Sequence, residues 1–151
     1  MASCFSRTWQ RFWRMPTGDR RLLVETTLGL ALARIVIILL PFRRIGWMVS
    51  RPTRRPEPPP TTRAETIRRI RWAVTACASR VPWRALCFEQ ALAAQFLLRR
   101  RGVPVVLYFG AALNDPDRLA AHAWVRDGEV DVIGGETSAQ FGLITSFPLQ
   151  P

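Results

Sequence analysis

The chain of 151 residues has little of what disulfide frameworks and metal centres are made from. It contains only three cysteines, Cys4, Cys77 and Cys87, and a single histidine, His122. The cysteines form no Cys-x-x-Cys pair, and a structural zinc site needs more cysteine and histidine ligands than these. The composition therefore predicts no disulfide scaffold, no metal site and no cofactor, and free thiols favour a cytoplasmic location.

Long uninterrupted apolar runs are also missing. The most apolar segment, residues 20–49, is interrupted by Glu25 and Arg34, and Pro41 ends a helix within it. A membrane span needs about 20 continuous apolar residues, and no secretory signal is evident before this segment. We therefore expect an apolar helix that is covered by the protein's own core, by a partner protein or by a membrane surface.

Lysine is missing altogether, so all 22 basic residues are arginine, against 11 acidic residues and a net charge of +11. Many of these arginines lie in the first 60 residues, where an Arg/Trp-rich segment over 1–18 could form a surface-binding arm. The surplus favours anionic partners. Because no nucleic-acid-binding motif accompanies it, we do not expect a nucleic acid.

Proline is concentrated in one place and marks a boundary. Residues 50–61 hold five prolines and predict an extended linker. It separates a basic, apolar, helical region over 1–49 from a domain over 62–151.

The domain after the linker predicts two helices followed by strands. Thr62 and Glu65 have capping-box spacing and open a helix that stops before Val81. A second helix begins close to Cys87 and ends at Gly102, with arginines in its last turn. The strand patterns that follow cover 103–110, 121–125 and 129–133, with a hairpin turn at Asp127-Gly128. The fold class is α+β, with a small antiparallel sheet of three or four strands.

Cys87 and His122 are the residues that suggest chemistry. A cysteine at a helix start lies beside free backbone N–H groups, which stabilise a thiolate. An imidazole on a strand packed against that helix would take up the thiol proton. A buried structural cysteine and a structural strand histidine are the alternative interpretation. A helix-opening cysteine and a strand histidine are, however, the papain-like and transglutaminase-like layout, and the backbone N–H of Cys87 would then be the oxyanion donor.

A catalytic pair of this kind usually has a third member that orients the imidazole. The carboxylates available on the next strand and turn are Asp131 and Glu136. Strand alternation does not fix their register, and both could instead be turn and edge charges. We favour Asp131.

Three stretches together resemble one family. They are Cys87-Phe-Glu-Gln-Ala-Leu with the Arg-Arg-Arg-Gly-Val-Pro that ends the same helix, Ala121-His-Ala-Trp-Val, and Asp127-Gly128. Over residues 62–147 the chain resembles the transglutaminase-like leader peptidases of lasso-peptide biosynthesis, and the apolar helix upstream resembles their N-terminal piece.

The resemblance implies a thiol peptidase that removes the leader from a ribosomally made precursor peptide, after which a separate cyclase closes the ring. The family triad of Cys, His and Asp matches Cys87 and His122 directly, whereas the position of the Asp is where this chain departs from the family pattern. Recognition modules for leaders are small strand-edge folds, and nothing before residue 50 predicts such strands. The resemblance therefore implies a separate leader-binding protein. A thiol acyltransferase and a catalytically inactive binding module are the alternatives.

Overall fold

The computed structural model describes residues 14–51, 55–115 and 118–148. Four helices come first in these ranges: α1 (Thr17–Leu39), α2 (Phe42–Val49), α3 (Pro60–Ala78) and α4 (Cys87–Arg99). They are followed by β1 (Val106–Asp115), β2 (Arg118–Asp127), β3 (Val130–Ile133), a 3-10 helix (Gly135–Gln140) and β4 (Gly142–Phe147). The Arg/Trp-rich arm up to residue 13 and Cys4 lie outside the described residues.

The strands form one sheet in the order β3-β2-β1-β4, and every neighbouring pair is antiparallel. The β2–β3 hairpin turns at Gly128, which has a positive φ of 58°, as an Asp-Gly hairpin requires. Helices followed by a small antiparallel sheet are the α+β fold that the sequence predicts, and the prediction is confirmed.

Helix α4 is the centre of the molecule. It contacts α1 and α3 as well as the strands β1, β2 and β3. Most of its residues are therefore buried, including Ala91, Ala94, Leu97 and Leu98. Because it is enclosed by helices and sheet, its first residue is held in a fixed position relative to β2.

Helix α1 belongs to the same core. Leu30 is fully buried, Ala33 is nearly so, and Gly29 lies close enough to Ala93 that an added Cβ would be 3.8 Å from the Ala93 Cβ. The principal core cluster includes Leu22 of α1 together with residues of α3, α4 and the sheet. The two sides of the proline-rich segment thus contribute to one core. The outward face of α1 is exposed.

The element boundaries differ from the sequence predictions at the start of one helix and at the start of one strand. Helix α3 begins at Pro60 with no side-chain capping hydrogen bond, so the predicted capping box at Thr62 and Glu65 is wrong. Proline is favoured in the first turn of a helix, because its missing N–H has no intrahelical partner there. Strand β1 begins at Val106, not at Val103, and β4 was not located from the sequence.

A partly buried ion pair joins α1 to the first turn of α4. Arg34 Nη1 lies 2.9 Å from Glu89 Oε1, and the Glu89 side chain is 6% exposed while that of Arg34 is 41% exposed. Glu89 Oε2 is buried and has no hydrogen-bond partner. Arg34 therefore supplies the counter-charge of the Glu89 carboxylate.

The two single replacements in this pair should have unequal effects. Arg34→Met leaves a buried carboxylate without its counter-charge, and we expect it to lower the free energy of unfolding by about 3 kcal/mol. Glu89→Gln leaves an arginine that can turn to water, and should cost clearly less. Urea unfolding of both variants and of the wild type measures this difference. Equal losses would contradict it.

Candidate active site

Cys87 is the first residue of α4, as the sequence predicts, and Leu86 is the N-cap residue. No side chain caps this helix start, so the first backbone N–H groups of α4 are not used by a capping residue. The thiol is partly exposed. An open helix N-terminus beside a nucleophile provides both a partial positive charge and donors for an oxyanion.

His122 lies in the middle of β2, where it pairs with Gly110 of β1. Its ring is stacked between two aromatic side chains: Phe141 has its ring centroid 4.9 Å away and Trp124 has its centroid 5.9 Å away. Trp124 in turn stacks on Tyr108. The stack fixes the plane of the imidazole, which is a requirement for a base that must meet one thiol.

The hydrogen bonds of the ring determine which nitrogen can act as the base. His122 Nε2 lies 2.7 Å from the Gly134 carbonyl oxygen and 3.3 Å from Thr137 Oγ1. A carbonyl oxygen can only accept, so Nε2 carries the hydrogen and donates it. In the neutral ring Nδ1 is then the unprotonated nitrogen, and it is the one that can accept a proton.

One cavity contains both residues. It has a volume of about 430 Å³ and is lined by Cys87, His122 and Gln90, with Gly134 and Ile133 on the sheet side. Gln90 donates its side-chain N–H to the Ala85 carbonyl oxygen at 2.9 Å, which holds the loop before Cys87. The two residues that the sequence singles out therefore line the same cavity.

Neither predicted carboxylate is among the hydrogen-bond partners of the imidazole in the described residues. Asp131 Oδ1 accepts a hydrogen bond from Arg126 Nε at 2.6 Å, and its carboxyl carbon packs so close to Gly135 that a Cβ there would collide with it. Glu136 Oε1 accepts from Arg71 Nη2 at 2.6 Å, in a pair at the cavity mouth. Among the described residues the partners of the imidazole are Gly134 and Thr137. The role of Asp131 as third member stays a prediction.

Sequence reasoning did not find Gly134, Thr137 or Phe141. Gly134 acts through a main-chain atom and has a φ of +75°, which is the left-handed region that favours glycine. A Gly-Gly pair directly after the predicted third strand was the available signal, because it marks a backbone position under a special constraint. Thr137 and Phe141 carry no signal of their own.

Cys77 provides an internal comparison for Cys87. It is 5% exposed, and burial raises the pKa of its thiol above the usual range, although a hydrogen bond from Thr27 acts in the opposite direction. A raised pKa leaves less thiolate at neutral pH. The structure thus assigns Cys77 to the core, in agreement with its place in the apolar stripe of α3.

Iodoacetamide at near-neutral pH should therefore modify Cys87 well before Cys77. Peptide mapping by mass spectrometry at successive times measures both rates in one sample. His122→Gln should slow the reaction at Cys87 and leave Cys77 unchanged, because Cys87 lines a cavity with His122 and Cys77 does not. Equal rates at the two cysteines in the wild type would count against an activated Cys87.

Comparison with known proteins agrees with this geometry. No significant similarity to a curated protein or to a solved structure was found. Residues 32–146 match the family model described as the transglutaminase-like superfamily, a match that begins within α1 and extends into β4. That superfamily has a fold of the cysteine peptidase and acyltransferase type, and its match covers the helix-opening Cys87 and the strand residue His122. The chain therefore belongs to the transglutaminase-like superfamily.

Proposed function

We propose that the protein is a cysteine peptidase that removes the leader from a lasso-peptide precursor. The observation that carries the proposal is the shared cavity, in which Cys87 lies at an uncapped helix start and His122 has Nε2 engaged and Nδ1 available. The choice of a precursor peptide as substrate is supported by the resemblance of the motifs around both residues to the leader peptidases.

The acylation step uses both residues. His122 Nδ1 takes the thiol proton, and the Cys87 sulfur attacks the carbonyl carbon at the junction of leader and core. A carbon–sulfur bond forms, and the electron pair of the carbonyl moves to its oxygen. Backbone N–H groups at the start of α4 donate to this oxyanion. When the intermediate collapses, the carbon–nitrogen bond breaks and the Nδ1 proton passes to the amine of the core peptide.

Water completes the cycle. His122 Nδ1 removes a proton from a water molecule, whose oxygen attacks the thioester carbon while the same N–H groups hold the oxyanion. The carbon–sulfur bond then breaks, the leader leaves with a new carboxylate, and Cys87 regains its proton. Every proton is thus exchanged through Nδ1, and Nε2 keeps its hydrogen bond to Gly134 throughout.

Delivery of the precursor is assigned to a partner. Residues 14–51 form helices in the structure, so this described part contributes no strand edge on which a leader could add as an extra strand. We propose that a separate leader-binding protein presents the precursor, and that a cyclase acts on the released core in the cytoplasm.

Reconstitution tests this function. Neighbouring reading frames are searched for a leader-binding protein and a short precursor, these are combined with the purified protein, and the masses of the products are measured by mass spectrometry. The expected result is two fragments whose masses add up to precursor plus one water. An intact precursor in the presence of a folded enzyme and its partner would contradict the proposal.

Acyl transfer is the second candidate, because the superfamily includes thiol chemistry in which an amine replaces water. The same experiment separates the two reactions. Transfer would join the leader to an added amine and give a product heavier than the free acid by the amine minus water. A binding module without activity would give neither product, and its Cys87 would lack the selective reaction with iodoacetamide.

A further inference from the structure

The outward face of α1 carries an apolar stripe. Its members recur at the spacing of one helix face, and each is between 49% and 71% exposed. They are Val24, Leu28, Leu32, Ile35, Ile38 and Leu39. By length and composition alone α1 could cross a membrane, but its opposite face packs in the core through Leu30 and Ala33. The stripe can therefore contact an apolar surface on one side of α1, whereas a membrane-spanning helix would need an apolar surrounding on all sides.

Arginines collect where this stripe begins. A cavity of about 420 Å³ beside the first turns of α1 has one acidic residue, Glu25, in its lining. The arginines of that lining are Arg21, Arg55, Arg69, Arg100 and Arg101. Arg101 and Arg100 both pair with the Glu25 carboxylate, at 2.6 Å and 3.8 Å. Arg69 pairs with Asp19, and Arg21 makes no ion pair with the described residues. The cavity thus has a surplus of positive charge.

The charged cavity opens onto the stripe. An adjoining hollow shares Arg21 and Arg100 with it and adds the apolar side chains of Val24 and Leu28. A ligand that fits both must be negatively charged at one end and apolar at the other. Phospholipids with an anionic headgroup have this chemistry.

Helix α2 extends the same kind of surface. Trp47 is 64% exposed, and the guanidinium of Arg51 lies 3.9 Å from the centre of its ring. Met48 is exposed beside it and lines an apolar groove together with Leu32 of the stripe. Exposed tryptophan next to arginine is typical of protein segments that lie in the headgroup region of a bilayer.

We propose that the stripe on α1, its arginine cavity and the Trp47 side of α2 form a docking surface for an anionic bilayer. Phosphates occupy the arginine cavity, and the stripe enters the boundary between headgroups and acyl chains. The surplus of arginine excludes a cationic occupant, and the aliphatic stripe has no polar positions that would align a particular protein partner. The proposal does not rest on peptidase activity.

Cys87 lines neither the arginine cavity nor the adjoining hollow. Arg100 follows the last residue of α4 and Cys87 is its first, so about 20 Å of helix separates the arginine cavity from the thiol. Cys87→Ala should therefore bind vesicles as well as the wild type does. This outcome keeps failure of the docking proposal distinguishable from failure of the proposed function.

Co-sedimentation of the full chain with vesicles tests the proposal. The protein should bind vesicles of phosphatidylcholine mixed with phosphatidylglycerol, and should bind pure phosphatidylcholine weakly. The double variant Arg21→Gln/Arg100→Gln should lose about 25-fold in affinity, at about five-fold per arginine near an anionic surface. Leu28→Gln/Ile35→Gln should lose at least about ten-fold, since its apolar contact is removed.

A matched variant controls for overall charge. Arg68→Gln/Arg80→Gln removes the same charge from exposed arginines that line neither hollow, and should bind almost as the wild type does. An equal loss in this control, equal binding to both vesicle types, or no binding to either would overturn the proposal. So would protein that stays with the membrane after alkaline carbonate extraction, because that result indicates a spanning helix. Circular dichroism of each variant confirms that the comparison is made between folded proteins.

Discussion

Cys87→Ala is expected to leave the precursor uncut, with the cleavage rate reduced by a factor on the order of 10⁴ or more. The acyl-enzyme route needs a nucleophile at the start of α4, and no other thiol among the described residues lines this cavity. The cavity, the helix start and the backbone donors remain in the variant, so the precursor should still bind. The measurement is single-turnover cleavage followed by mass spectrometry.

His122→Gln should cause a loss of similar size. Glutamine keeps a hydrogen-bond donor that can reach the Gly134 carbonyl, but it has no nitrogen that exchanges a proton with the thiol at neutral pH. The double variant with Cys87→Ala should be no slower than either single variant, because the two residues act as one unit.

The matched control is Cys77→Ala. Cys77 is a thiol in the same chain but packs against Leu30 and Ala93 in a second core cluster, so its removal should change stability and leave the cleavage rate within a few-fold of the wild type. Cleavage at the wild-type rate by Cys87→Ala, or loss of cleavage in Cys77→Ala while that variant is folded, would refute the assignment of Cys87.

The placement of Cys87 at a helix start and of His122 on a strand could be predicted because each residue has a distinctive local context. Cys87 stands at the start of a long apolar segment that ends in arginines and Gly102. This pattern predicts a helix that begins near Cys87. His122 alternates with small and apolar neighbours in a clear strand pattern. Since a helix followed by an antiparallel sheet must bury its apolar stripe against that sheet, the two patterns together predict that the helix and the strand pack against each other.

The orienting group could not be predicted in the same way. The hydrogen bond from His122 goes to a main-chain oxygen, and every residue has one, so no side-chain type marks the position. Asp131 was favoured over Glu136 although the pairing register was open, and in the structure β2 and β3 have an irregular register at Val125 and Arg126. Arg126 pairs with Asp131 in that register, and the carboxylate forms its ion pair there.

The contacts that α1 makes with other helices could not be predicted from the sequence either. In the sequence, Arg34 only interrupts the apolar run. In the structure, Arg34 of α1 is the counter-ion of Glu89 in α4. An ion pair between residues this far apart in sequence depends on how α1 and α4 cross. That crossing is fixed by small residues such as Gly29 and Ala93, whose importance becomes visible only in the packed structure.

Gly134→Ala should reduce the cleavage rate by about 100-fold, because a small displacement of a catalytic group is enough for a loss of this size. Gly134 has a φ of +75°, and a Cβ there would lie 2.8 Å from the Ala123 carbonyl oxygen. The backbone must move to relieve both conflicts, and its carbonyl is the acceptor that holds the His122 ring. The free energy of unfolding should fall by about 1–3 kcal/mol.

Gly128→Ala separates the two effects. Gly128 also has a positive φ, of 58°, but nothing lies within 4 Å of an added Cβ. Its alanine variant should lose stability through backbone strain alone and keep its cleavage rate. Similar activity in the two alanine variants would mean that the Gly134 carbonyl does not position the ring.

The variant Asp131→Asn tests the predicted triad directly. If the Asp131 carboxylate orients the imidazole, replacing it with an amide should lower kcat by about 10⁴-fold, as loss of the orienting carboxylate does in a catalytic triad. The observed pairing with Arg126, which is partly exposed, predicts a loss of less than about five-fold. It also predicts a similar small loss for Arg126→Gln, because both variants break the same pair. A large loss in Asp131→Asn alone would assign the orienting role to that carboxylate, and a large loss in Gly134→Ala alone would assign it to the main-chain carbonyl.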